Sequence, residues 1–303
     1  MDSTNTDTNK QSVENQPSET AQATAFMRAL AAHNEREEIR GSDYLAELFL
    51  TEDQTRPLKD LTVRQWVMKN KLSPGMYEFM IARTAFFDHV VEQGLREHIP
   101  QIVFLGAGYD SRPYRYKDLI QMSRIFELDA LPTQQRKKEI LHQANILIPR
   151  AVCFVPINFN TDSLPQVLAD AGFDKNRKTL FIWEGVTYYL TAKVVDDTLD
   201  SIKAICPTGS SICFDYAALS PEALMEEGTK HVREKLKSEY SGEPTRFGIP
   251  AGTIEAFLAK RGYTIKEQVT PNEMESKYLT LRDGSTVGKL PRLFCFVDAL
   301  VSG

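Results

Sequence analysis

The stretch Ile102-Val103-Phe104-Leu105-Gly106-Ala107-Gly108-Tyr109-Asp110-Ser111-Arg112 constrains this chain more than any other. An apolar run of strand length enters a Gly-x-Gly turn, and a carboxylate follows at Asp110. A second apolar run, Ile125-Phe126-Glu127-Leu128, ends in Asp129. Strand, glycine turn, helix and a second strand tipped by an acid form the nucleoside-binding half of a doubly wound α/β domain. Glycines in such a turn let backbone approach a ligand that a side chain would block. A carboxylate at the second tip can accept hydrogen bonds from both ribose hydroxyls.

The glycine pattern bears on which nucleoside. A dinucleotide fingerprint needs a third glycine where this chain has Ser111, and Asp110 would repel a pyrophosphate. A carboxylate there suits a ligand with a positive centre, and S-adenosylmethionine carries a sulfonium and an ammonium. On these residues alone, a tight turn with unrelated acids nearby stays open as the alternative.

Alternation of strand and helix patterns supports the sheet. Strand candidates are 101–106, 124–129, 151–156, 179–184, 210–216 and, at the end, 292–300, with helices expected near 132–145, 163–172, 192–205 and 253–261. Thr179-Leu180-Phe181-Ile182-Trp183 suits a strand covered on both faces. The polar residues 1–20 predict a disordered tail. Helical patterning begins near Thr24 and fills 21–100, with Thr62 and Gln65 as a capping box and Ser73-Pro74 opening a helix to about His98. A charged segment, about 218–250, interrupts the sheet pattern as a helical lid. Thr191 is the expected cap of the 192–205 helix.

Ligands of open α/β sheets bind beyond the carboxyl ends of the strands. Gly106, Gly108 and Asp110 follow the first strand, Asp129 ends the second, Asn158 follows the third, Glu184 the fourth, and Asp215 and Tyr216 the fifth. Asp129 would hold ribose, Asn158 an adenine edge, and Glu184 the cofactor ammonium. Arg83 lies in the apolar helix run Ile81-Ala82-Arg83-Thr84 and needs an anionic partner. That partner is a ligand carboxylate or, structurally, Asp88 or another acid. Arg28 poses the same question. Tyr188, Tyr189, Tyr216 and Arg246 are candidates for an acceptor pocket.

Composition narrows the classes. The chain has 303 residues, 42% hydrophobic and 25% charged, with a formal net charge of −5. That balance, without a dense basic tract, argues against a nucleic-acid partner. No apolar run has the length to span a bilayer. Four scattered cysteines and five dispersed histidines suggest buried thiols of a reducing, cytoplasmic compartment and no metal.

The motifs Arg83-Thr84 with Phe87-Asp88, Leu105 to Arg112, Phe126-Glu127-Leu128-Asp129, Ala169 to Asp174, and Trp183-Glu184-Gly185 with Tyr189-Leu190 together resemble the leucine carboxyl methyltransferase family, over roughly residues 24–217. That family includes carboxyl O-methyltransferases of the tetracenomycin type. The resemblance implies a Rossmann-like class I methyltransferase: a mostly parallel seven-stranded sheet with an antiparallel C-terminal strand, an N-terminal helical cover and a lid. It implies S-adenosylmethionine as methyl donor, with Arg83 on its carboxylate, Gly106 and Gly108 at its methionine part, Asp129 on the ribose and Glu184 on the amino group, and Arg28 as the arginine of the family's early helix. Where relatives have Asp-Leu for adenine, this chain has Asn158-Phe159. The expected activity is O-methylation of a small-molecule carboxyl or acidic hydroxyl. The competing readings are a peptide C-terminal carboxyl methyltransferase, a non-catalytic cofactor-binding scaffold, and a nicotinamide-dependent oxidoreductase.

Overall fold

A computed structural model describes residues 14–231, 234 and 246–303. Its sheet runs β3-β2-β1-β4-β5-β8-β7, with β1 Gln101–Leu105, β2 Arg124–Asp129, β3 Val152–Pro156, β4 Thr179–Trp183, β5 Ser211–Leu219, β7 Tyr263–Val269 and β8 Phe294–Val301. The first five pair in parallel, and β8 lies antiparallel to both β5 and β7. An eighth, two-residue strand, β6 (Ile249–Pro250), pairs with Ala218 and Leu219 at the end of β5. The expected seven strands are thus the main path alone, and this addition makes eight. It also brings the chain back beside the point where the 218–250 insertion leaves.

Side-chain parity along β1 explains how the sheet is buried. Ile102 and Phe104 enter one core with Phe79, Phe86 and Phe87 of helix Met76–Arg96. Val103 and Leu105 enter the other, with Leu168, Val195 and Leu199 from helices Leu164–Asp170 and Ala192–Ile205. Successive residues of a strand point to opposite faces, so a strand apolar at every position is covered on both. Each such large side chain contributes about 1.5–3 kcal/mol on burial.

The helical cover differs from the expectation at its boundaries. The first helix is Glu19–Ala32, capped by Ser18, whose hydroxyl accepts from Ala21 N–H, so it starts before Thr24 and takes in the end of the expected tail. Residues 1–13 lie outside the described residues. Helix Leu61–Asn70 is capped by Asp60, two residues earlier than a Thr62 cap; the carboxylate accepts from Val63 N–H. The long helix begins at Met76 because Gly75 takes φ 78°, a conformation that ends the preceding turn and that Pro74 cannot share. Thr191 caps its helix as expected. Of the lid, Ser220 caps the turn Pro221–Met225, while 232–233 and 235–245 lie outside the described residues. Among the described residues no helix is long and apolar enough to cross a membrane.

Candidate functional site

Strand order reverses between β2-β1 and β4-β5, and a cavity of about 310 Å³ opens beyond the strand ends at that switch. Gly106 and Gly108 form its lip with φ of 73° and 45°. A Cβ on Gly106 would stand 2.5 Å from Val186 Cγ2, so glycine is required by conformation and by space. Asp129 reaches back over this turn, its two oxygens accepting from Gly108 N–H at 2.6 Å and Ala130 N–H at 2.7 Å. Burial raises its pKa, against the pull of those two amides and Lys137. Asn158 and Phe159 line the same cavity beyond β3. Asn158 Oδ1 accepts from Asn160 N–H, which fixes the amide in a local turn.

The structure brings Arg83 and Glu184 together at the opposite wall. Arg83 Nε lies 3.0 Å from Glu184 Oε1 but has no well-directed acceptor for its N–H, an ion pair without a hydrogen bond. Its Nη1 donates to Tyr188 Oη at 3.2 Å and to Asp215 Oδ2 at 3.4 Å. Its structural partners are therefore Glu184 and Asp215, and not Asp88. Asp215 is fully buried and is fixed by Gly185 N–H at 2.7 Å, so it serves as a brace behind Arg83. Burial would lower the guanidinium's pKa, but Tyr188, Glu184 and Asp215 outweigh it and keep the group charged.

Behind the wall runs a chain of buried ion pairs that the sequence reading did not contain. Arg112 Nη1 donates to Glu184 at 2.7 Å and to Asp110 at 2.6 Å, and its Nε donates to Asp88 at 2.7 Å. Arg115 binds both oxygens of Asp88. Asp43 accepts from Arg28 Nε at 2.8 Å and from Ser111 Oγ, while Arg28 Nη2 donates to the Tyr109 carbonyl. Arg28 and Asp110 line the cavity with these contacts already made. The only sequence signal for Arg112 was its place at the end of the glycine turn. Asp43 and Arg115 had none, because their partners are distant in sequence.

Three of the four acceptor candidates lie at the cavities. A second chamber of about 410 Å³ adjoins the first, and Thr20, Thr24, Arg83, Gly185 and Tyr189 border both. Tyr188 lines the second chamber and Arg246 the first. Tyr216 lines neither. It follows Asp215 on β5, so parity turns it to the opposite face, where its hydroxyl accepts from Gln268.

The donor set fits S-adenosylmethionine. A strand-tip carboxylate, two glycines at positive φ on the cavity lip, the apolar Ile157 and Phe159, and a guanidinium whose Nε–H lacks an acceptor match ribose, close backbone approach, a purine and an amino-acid end.

Known proteins agree. Residues 21–203 match the family model of leucine carboxyl methyltransferases. YktD of Bacillus subtilis strain 168, assigned by name to the S-adenosyl-L-methionine-dependent methyltransferases, is 33% identical over 222 residues, covering 73% of this chain and 71% of that protein. A similarly named Mycolicibacterium vanbaalenii protein is 29% identical over 240 residues, covering 72% and 74%. A DUF574 family protein from Streptomyces avermitilis superposes with a TM-score of 0.61 over 95% of this chain and 98% of its own, at 12% identity. A methyltransferase candidate from Thermobifida fusca gives 0.59 over 95% and 96%, at 13% identity. At such identities the two structures bear on the fold alone. Fold, cavity and sequence kinship define a class I S-adenosylmethionine-dependent methyltransferase, which sets aside the nicotinamide reading. Within that class, the chain belongs to the leucine carboxyl methyltransferase family.

Proposed function

We propose that this enzyme methylates the carboxylate of a small-molecule acceptor. The observation that carries the reading is the junction of the two cavities across Arg83, Gly185 and Tyr189; in this reading the second cavity is the acceptor chamber and meets the cofactor's methionine end. In this reading Asp129 holds the ribose hydroxyls, Asn158 and Phe159 the adenine, and Gly106 and Gly108 lie against the methionine part. Glu184 takes the ammonium and Arg83 the carboxylate, while Arg28, Asp110 and the ion pairs behind them keep the wall in place. The cofactor supplies a methyl group already activated by sulfonium. The protein orients and excludes water, and ideal orientation can lower a barrier by up to roughly 7–11 kcal/mol. Residues 21–100 act as the cover, 101–303 as the catalytic domain, and about 218–250 as a lid.

Two features support a carboxylate acceptor. It is anionic at neutral pH and needs no general base, and no histidine is among the described residues lining either cavity. The family's name carries the same chemistry. The test incubates the protein with methyl-labelled S-adenosylmethionine and a panel of small carboxylic acids. A methyl ester is expected, releasing labelled methanol in mild base. A base-stable methyl product, or no calorimetric binding of S-adenosylhomocysteine, would overturn the reading.

A further inference from the structure

The turn that follows β3 bears on which purine edge the cavity can read. Its backbone amides, from Asn158 to Asp162, can be accounted for one by one. Asn158 N–H donates to Asp162 Oδ2 at 2.8 Å and Asn160 N–H to Asn158 Oδ1 at 2.9 Å. Thr161 N–H and Asp162 N–H donate to the Asn158 carbonyl at 3.1 and 2.9 Å. The Phe159 N–H alone has no acceptor among the described residues.

The same turn fixes the orientation of the Asn158 amide. Its oxygen receives Asn160 N–H. A flipped amide would set Nδ2–H against that N–H, donor against donor. Nδ2 is therefore the free end, and it donates to no group among the described residues. Asn158 and Phe159 both line the cavity at the strand tips. Asp162, the acid of this turn, is not in that lining; its oxygens accept from Asn158 N–H and Thr161 Oγ1. The turn thus offers the cavity two fixed donors and no carboxylate.

A 6-aminopurine presents N7 as an acceptor beside a 6-amino donor, so two protein donors satisfy half of that edge. A 6-oxopurine presents N7 and O6, both acceptors. We infer that Asn158 sets base specificity in favour of the 6-oxo edge: Asn158 Nδ2 and Phe159 N–H donate to O6 and N7. The deaminated, 6-oxopurine form of the nucleoside thioether is then a ligand at least comparable to the adenosyl form. The inference rests on the proposed placement of the cofactor's base at Asn158 and Phe159, and adds to it a second class of nucleoside. The adenosyl form keeps one of the two hydrogen bonds, through a ring nitrogen, and so remains a ligand. A carboxylate at position 158 would reverse the preference. One oxygen would keep the turn, and the other would accept from a 6-amino group and repel O6.

The probes are S-inosylhomocysteine and S-adenosylhomocysteine, measured by calorimetry against the full chain at neutral pH. We expect the inosyl compound to bind within about threefold of the adenosyl compound, or more tightly. Asn158→Asp should move the ratio of the two affinities toward the adenosyl compound by at least about fivefold, the scale of one hydrogen bond gained or lost. The melting temperature should stay near the parent's, because the turn's own hydrogen bonds persist. Weaker inosyl binding than this, or a smaller shift in the variant, would overturn the inference and leave the cofactor reading standing. Inosyl binding with no adenosyl binding would support the inference and sink S-adenosylmethionine as the cofactor. Binding of neither compound would sink both.

Discussion

Asp88 sits mid-helix, 6% exposed, and accepts from Arg112 Nε, from two nitrogens of Arg115 and from Ser42. Burial pushes its carboxyl upward, but Arg112 and Arg115 outweigh that and hold it well below the usual carboxylate range. Asp88→Asn removes the charge and leaves two buried guanidiniums short of a partner, so the variant should lose about 3–5 kcal/mol at neutral pH. The sign of the pH dependence follows from the depressed value. Asp88 contributes fully above its unfolded pKa of about 3.9, and the contribution is lost as pH falls through the lower folded value. Urea melts of both proteins should therefore show a gap that is constant near neutrality and narrows below about pH 4. A gap that widens there would refute the account. Asp129 and Glu184 were legible in the sequence because the end of an apolar strand run fixes their position, Asp129 as the last residue of β2 and Glu184 as the one after β4. Asp43 was not: its contacts to Arg28, Ser111 and Arg115 are set by packing of the cover on the glycine turn, which no local pattern encodes. Tyr216 was misplaced for want of parity, since placing it at a strand tip did not say which face it took.

The strand–turn unit Gln101 to Gly108 was legible because two constraints coincide there, an apolar run and a backbone only glycine accepts. Gly106→Ala tests both. Alanine at φ 73° costs about 1–2 kcal/mol in backbone energy, and its Cβ at 2.5 Å from Val186 Cγ2 forces that side chain away from the cavity's lip. The expected outcome is a modest fall in melting temperature with at least about a tenfold weaker calorimetric affinity for S-adenosylhomocysteine. An affinity equal to the parent's would show that the lip does not touch the ligand. Helix boundaries were less legible than helix faces. Arg83 stood out because it interrupts the apolar run Ile81-Ala82-Arg83-Thr84 of a helix whose apolar side packs on the sheet. The start at Met76 depended on Gly75, whose left-handed turn outranks the cap-like Ser73-Pro74.

At the scale of the molecule, the sheet order could be expected because right-handed crossovers and the early glycine turn leave few arrangements. The cover could not be placed in the same way. Its helices show an apolar face, but the surface they pack on is formed by β1, β4, β5 and β8 together. The consequence is that helix Glu19–Ala32 closes the cavity at the strand tips from outside: Thr20, Ala21, Thr24 and Arg28 line it, and Ser18 N–H donates to Thr133 beside β2. Cover and sheet should then respond to the ligand as one body. Saturation to a hundredfold excess over the dissociation constant stabilises a folded state by about 2.7 kcal/mol. For a chain of 303 residues the usual unfolding entropy per residue converts this to a rise of roughly 4 °C. S-adenosylhomocysteine should shift the melting temperature by about this amount in a single transition, with slower amide exchange in helix Glu19–Ala32, and NAD should shift neither. Slowed exchange in the strand tips without any change in that helix would mean that the cover does not form a wall of the cofactor site, and the two-cavity arrangement would lose its outer side.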